Sequence, residues 1–228
     1  MIIDCISDLH GHYPELEGGD LLIIAGDMTA HDKIPEWFIF FDWLEKQKYR
    51  KKIYIGGNHD NFLVHCIAFN DPKHKWLSDL IEEETGNPKG ANIEYLKDTG
   101  TEFEGLKIWG SPWTAWFAGI NSKCEAFVLN GESFLKKKWD LIPKDVDILI
   151  THSPPFGHLD RVYNGQIGKW MHCGSMTLAQ IDCDPKLWVF GHIHEGYGQK
   201  EEEECKYVNA SIMNEYYEPV NKPIRIIL

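Results

Sequence analysis

Two histidines at alternate positions, His192 and His194, follow an apolar run in LWVFGHIHEGYG. Four other apolar runs close in the same kind of residue. MIIDCIS leads to Asp8 and His10, DLLIIAG to Asp27, KIYIGG to Asn58, His59 and Asp60, and VDILIT to His152. Taken singly, each has a plainer reading. An aspartate such as Asp27 at a strand end is ordinarily a turn or helix cap. Asn-His after two glycines is ordinarily a turn, and His152 before two prolines could be a hydrogen-bonded histidine. Five runs in order, each closing in Asp, Asn or His, are hard to reach by chance, and together they point to a metal. Carboxylate, imidazole and amide donors suit divalent ions such as Mn²⁺, Fe²⁺, Zn²⁺ or Ni²⁺. The set Asp8, His10, Asp27, Asn58, His152, His192 and His194 is too large for one tetrahedral ion. It fits two ions sharing a carboxylate, the usual clamp for in-line phosphoryl displacement.

Such a set needs a scaffold that gathers strand ends. The runs are short, rich in Ile, Leu and Val, and bounded by turn residues, which predicts buried strands. Open α/β sheets bind ligands at the carboxyl ends of their strands. In an extended segment residues i and i+2 point the same way. That predicts Asp8 and His10 facing one point, and His192 and His194 facing one point. Helices are expected over PEWFIFFDWLEKQKY from Pro35, near Asn61 to Phe69, and from about Ser175 to Ile181. TEFEGLKIWGSPW reads as a hairpin about Gly105, and the tail from Lys206 as further strands. The polar stretch Asp71 to Asn92 reads as a surface excursion, and Glu201 to Glu204 as a solvated loop. Strands alternating with helices indicate an α/β layered fold. One domain over residues 1–228 is expected.

The bulk numbers exclude some functions. The 228 residues carry a formal net charge of −12. So acidic a surface repels long nucleic acids and anionic membranes. A small phosphate ligand is not excluded, because bound cations invert the local field. No run of about 18 apolar residues suggests a membrane span. MIIDCISDLHGH enters a strand pattern directly, with no basic or long apolar leader. The six cysteines show no C-x-x-C pair. Reduced thiols and a cytoplasmic protein are therefore expected.

In order, SDLH, GD, GNHD, THSPP and GHIH resemble the motif series of the calcineurin-like metallophosphoesterase superfamily, over Ser7 to His194. GSPWTAWF, KWDLIPKDVDILITHSPPFG and FGHIHEGYG are similar to its brain-type, metallophosphoesterase-domain-containing phosphodiesterase branch. Some members of that branch lack the first histidine of the last motif; His192 is kept here. The resemblance implies a four-layer α/β/β/α sandwich of two mixed sheets flanked by helices. It assigns one metal to Asp8, His10, Asp27 and His194, and a second to Asp27, Asn58, His152 and His192, with Asp27 bridging. Mn²⁺ or Fe²⁺ come first, with Zn²⁺, Ni²⁺ or Mg²⁺ as alternatives. It also makes His59 the general acid, with Asp60 orienting its ring.

Water shared by two cations is acidic enough to act as a nucleophile at neutral pH, attacking phosphorus in line. The expected activity is hydrolysis of small phosphodiesters, cyclic nucleotides foremost. Trp113, Trp116 and Phe117 are aromatic surfaces for a base, or core; Glu195 and Tyr197 are candidates for the pocket rim. A phosphomonoesterase, either a nucleotidase or a protein phosphatase, is the alternative. GDMTAHD and GNHDNF lack the arginines of the protein phosphatases. A non-catalytic scaffold is the remaining reading. The partner is a small phosphodiester or nucleotide, with no long nucleic acid and no membrane, on a monomer or homodimer.

Overall fold

The computed structural model describes residues 1–67, 92–116 and 124–228, with the side chains of 65–67 excepted. Most of the Asp71–Asn92 stretch, the end of the helix expected to reach Phe69, and Phe117 lie outside the described residues.

Strands β1 (Ile2–Ile6), β2 (Gly19–Ile24), β3 (Tyr49–Tyr54) and β4 (Ile93–Tyr95) run parallel, and β15 (Ile224–Ile227) joins antiparallel to β1. The second large sheet has the order β13-β14-β12-β9-β6-β5. Its parallel centre is β6 (Leu106–Ser111), β9 (Ile148–Thr151), β12 (Leu187–Phe190) and β14 (Cys205–Asn209). The antiparallel edges are β5 (Thr99–Phe103) and β13 (Gly198–Glu202). Two strand pairs stand apart: β7 (Thr114–Ala115) with β8 (Val128–Leu129), and the hairpin of β10 (Arg161–Asn164) and β11 (Lys169–His172).

Period-two burial explains the layering. Ile3, Cys5, Leu21, Ile23 and Ile53 of the first sheet pack on Ile108, Ile148, Ile150, Leu187, Val189 and Val208 of the second. The alternate residues Leu22, Ile24 and Tyr54 face helix α1 (Ile34–Glu45), whose buried side is Trp37, Phe40, Phe41 and Leu44. That spacing puts all four side chains on one helical face. Pro35 opens the helix, and Glu36 accepts from the Lys33 and His31 amides. On the opposite side, Leu149, Trp188 and Phe190 pack on Leu135 and Trp139 of a later helix, Glu132–Trp139. The result is the expected α/β/β/α sandwich of mixed sheets. A short helix, α2 (Asn61–Ile67), follows β3, so Glu132–Trp139 is α3.

Local expectations differ in three places. The helix expected from Pro35 through Tyr49 ends at Glu45, and Tyr49 opens β3. Ser175 to Ile181 forms only a 3-10 turn at Leu178–Gln180. Of Glu201 to Glu204, Glu203 and Glu204 form the exposed turn, but Glu201 and Glu202 belong to the edge strand β13, whose backbone pairs with β14 while the glutamates stay in solvent.

Candidate metal centre

Strands β1, β2, β3, β9 and β12 all end at the same edge of the sandwich, and the candidate ligands lie in the next few residues of each. The two sheets are stitched there. The Ser7 amide, just past β1, donates to the Ala210 carbonyl at 2.8 Å, and the Ile212 amide donates back to the Ser7 carbonyl at 2.9 Å. Asp8, His10, Asp27, Asn58, His152 and His194 are all buried, and His192 and His59 half-buried.

Asp27 is the hub. Its Oδ2 is 3.3 Å from His152 Nε2, 3.8 Å from His10 Nε2 and 3.9 Å from His59 Nε2. Its Oδ1 accepts the His59 amide at 2.8 Å. On one side, Asp8 Oδ1 faces His194 Nε2 at 3.5 Å. On the other, Asn58 Oδ1 is 3.0 Å from His152 Nε2 and 2.9 Å from His192 Nδ1. Donor atoms of Asp8, His10 and His194 gather in one group, and those of Asp8, Asp27 and His152 in another. A cation with bonds of about 2.1 Å spaces its ligands by about 3.0–3.5 Å; the Asp27–His152 and Asp8–His194 separations fall in that range, and His10 stands a few tenths of an ångström outside it. The buried Nε2 of His10 has no hydrogen-bond partner. A buried ring nitrogen costs free energy unless something ligates it.

Two imidazoles have their tautomer fixed from behind. His152 Nδ1–H donates to the Ala25 carbonyl at 2.7 Å, and His194 Nδ1–H to the Asn214 carbonyl at 3.0 Å. A carbonyl only accepts, so Nδ1 keeps its hydrogen and Nε2 is the nitrogen that offers a lone pair to the cluster once its proton leaves. Protonation states suit the same role. Burial opposes the Asp8 charge, but His194 and His152 outweigh it and hold the carboxyl down at about 2. Asp27 is held well below the usual range by His152 and His59 in spite of its burial. Burial drives His10 down to about 4 and His192 down to about 3, so both rings are neutral donors. Burial also opposes charge on His152, but Asp27 overcomes it and lifts the ring to about 9. His194 is raised against its burial by the hydrogen bond to Asp8. The donor set fits divalent cations, which would displace the protons on these two rings.

Asp8 and His10 do face one point, but not through extended alternation, and His192 and His194 do not share one. Asp8, His10, Asp27 and His192 have φ of 53°, 42°, 57° and 67°, all left-handed and not extended. His192 therefore turns toward Asn58 and His152, while His194, at the start of a 3-10 turn, faces Asp8. The two imidazoles serve opposite ends of the cluster. Left-handed backbone at bulky residues costs about 1–3 kcal/mol each, a strain typical of functional sites.

The general-acid pair also differs. His59 reaches the cluster, with its ring 4.6 Å from that of His10 and its Nδ1 3.4 Å from Cys124 Sγ. Asp60 does not orient it. The Asp60 carboxylate accepts the amides of Asp27 at 2.8 Å, Met28 at 3.1 Å and Gly57 at 2.7 Å, clamping the loop after β2 to the loop after β3. Burial and the Asp27 charge push this carboxyl up.

Of the substrate candidates, Glu195 lines a cavity of about 250 Å³ with Asp27, Asn58, His59, His192 and His194. Trp113 and Trp116 are not among its lining residues. The Trp113 indole N–H donates to Asp98 at 2.8 Å, with Lys138 Nζ 4.1 Å from its ring centre, and Trp116 is exposed. Tyr197 lines a neighbouring cavity and donates its hydroxyl to the Lys222 carbonyl. Sequence reasoning missed Glu215 and Tyr217, which line the metal cavity. The Tyr217 ring lies 4.9 Å from both His10 and His194. The available signal was Asn214, whose Oδ1 accepts the amides of Tyr216 and Glu218 and so builds the turn. No lysine or arginine lines this cavity among the described residues.

A family model described as calcineurin-like phosphoesterase matches residues 1–196. Metallophosphoesterase domain-containing protein 1 of Homo sapiens is 39% identical over 236 residues, covering 98% of this chain and 70% of that protein; the Mus musculus protein gives the same values. A UPF0046 protein of Caenorhabditis elegans is 35% identical, over 96% of this chain and 58% of its own. The crystal structure of a Thermus thermophilus protein, TT1561, aligns with a TM-score of 0.57 at 19% identity, covering 91% of this chain and 88% of that one. Another crystal structure aligns with a TM-score of 0.66 at 14% identity, over 99% and 98% of the two chains. At those identities the likeness is one of fold.

Proposed function

The chain belongs to the calcineurin-like phosphoesterase family, and from that membership we propose that it hydrolyses small phosphodiesters at a two-cation centre. The observation that carries this reading is one cluster drawn from five strand ends, in which His10 and His152 reach Asp27, His194 reaches Asp8 and His192 reaches Asn58. In the proposal, Asp8, His10, Asp27 and His194 hold one cation, and Asp27, Asn58, His152 and His192 the other. Two divalent cations supply Lewis acidity toward the phosphoryl oxygens and make water a nucleophile at neutral pH. Mn²⁺ or Fe²⁺ suit the mixed donors best.

The remaining work belongs to side chains at the rim. His59 borders the cavity and donates a proton to the departing alkoxide. Glu195 and Glu215 add negative charge to the wall, and no lysine or arginine offsets it among the described lining residues. That wall disfavours a dianionic monoester relative to a monoanionic diester. Cyclic nucleotides are the first biological diesters to try. The setting proposed is the cytoplasm, with a small phosphodiester as partner.

The test compares kcat/KM of Mn²⁺-loaded protein on a matched aryl phosphodiester and phosphomonoester. A diester preference supports the proposal, and a monoester preference replaces it with a phosphatase. Asp27→Ala and His152→Ala are expected to lose bound metal and turnover together. His59→Ala keeps its metal and loses about 10²–10⁴ in rate on an alkyl leaving group, less on an aryl one. Full activity of His59→Ala on the alkyl diester would remove it as the acid.

A further inference from the structure

The hairpin β10–β11 and the turns beside it carry an unusual amount of uncovered apolar surface. Phe156, Tyr163, Ile167, Trp170, Met171 and Met176 are 41–58% exposed. Isolated exposed apolar residues are ordinary, but a contiguous group marks a binding surface. Phe156, Tyr163, Met171 and Met176 of this group, with Ala115 and Val162, wall a groove of about 690 Å³. Val162 and Met171 pair across the hairpin.

The polar residues of the groove are largely committed elsewhere. The Glu132 carboxylate accepts from the Ser175 hydroxyl at 2.9 Å and the Thr177 amide at 2.9 Å. Asn164 Oδ1 accepts the Gln166 and Ile167 amides, closing the hairpin turn. His172 Nδ1 is bonded to buried Asp160 at 2.6 Å. No lysine or arginine lines the groove among the described residues, so it has no group to hold a second phosphate.

The groove adjoins the metal cavity. Val162 and Cys173 line both. The cavity around the candidate ligands, about 250 Å³, is the smaller of the two. A diester has two arms. We propose that the groove takes an apolar arm, alkyl or aryl, of a phosphodiester whose phosphorus lies at the metal centre. This rests on the phosphodiesterase reading above and adds the substrate class. Methionine thioethers adapt to such a chain without demanding one shape.

The experiment is a series of p-nitrophenyl alkyl phosphodiesters, methyl to octyl, below their aggregation limits, with the Mn²⁺-loaded full chain. Each buried methylene raises kcat/KM by up to about fourfold. A rise of at least about tenfold from methyl to octyl is expected, falling below about threefold in Met171→Ser/Met176→Ser. Circular dichroism and metal content confirm that the variant is folded and loaded. A second readout needs no turnover: calorimetric titration with the monomethyl ester of octylphosphonic acid. Saturable binding lost in the double variant supports the groove even if no diester is cleaved, which would refute the diesterase reading alone. A flat series with the methyl ester well hydrolysed overturns the groove and leaves the diesterase. A flat series together with a dimer that Trp170→Glu splits also overturns it, and assigns the face to a second copy of the chain.

Discussion

Asp60 shows how far a residue's chemistry depends on where its neighbours fall. Beside His59 in sequence, it spends its carboxylate on the amides of Asp27, Met28 and Gly57. Asp60→Asn replaces an acceptor oxygen by an N–H₂ facing N–H donors. A loss of about 2–4 kcal/mol is expected, read from the urea midpoint. Diester hydrolysis then slows equally for aryl and alkyl leaving groups. A loss confined to alkyl diesters with unchanged stability would return Asp60 to His59. The histidines give a pH prediction. Asp27 lifts His152 to about 9 against its burial. A raised pKa means the ring holds its proton at neutral pH until a cation takes its place. Mn²⁺ affinity is therefore expected to rise with pH from 6 toward 9, with proton release at pH 7 measured by calorimetry in buffers of different ionisation enthalpy. A pH-independent affinity would take His152 out of the ligand set.

At the scale of elements, the ligands were legible because buried strands are short apolar runs and their ends are marked by a change of residue type. What the sequence left hidden depends on loops meeting. The β12 end can approach the β1 end only because residue 191 is glycine. A Cβ there would lie 2.1 Å from Ser7 Oγ and 2.2 Å from Asp8 Oδ2. Gly191→Ala is expected to push Asp8 aside and lower bound metal and kcat/KM by more than about tenfold, with the far-ultraviolet spectrum retained; atomic absorption and kinetics measure this. Native metal content would show that the loops can separate without loss. Trp113 followed the same rule: its apolar neighbourhood was readable, but its bond to Asp98 was not. The hairpin β10–β11 did carry a signal, Asn164–Gly165 between apolar residues. The glutamates of β13 carried none, because backbone pairing with β14 makes that strand.

At the scale of the molecule, the centre lies where two sheets abut, so it reports on both. Both carry candidate ligands: Asp8, Asp27 and Asn58 follow strands of the first sheet, and His152 and His192 strands of the second. A cation at 100 times its Kd therefore stabilises the native sandwich by about 2.7 kcal/mol. Calorimetry should show Tm rising with Mn²⁺ and falling with chelator. No shift would mean that the metal binds the unfolded chain equally well. The same geometry has a kinetic side. Asp8 and His192, in contact through the His192 amide, are 184 residues apart along the chain. So remote a closure is made late, after local contacts have repaid some of the lost chain entropy. On a ribosome the N-terminal ligands emerge long before the second histidine pair exists. Added metal should therefore leave the refolding rate nearly unchanged and slow unfolding, acting as a latch on a finished structure and not as a template for an unfinished one.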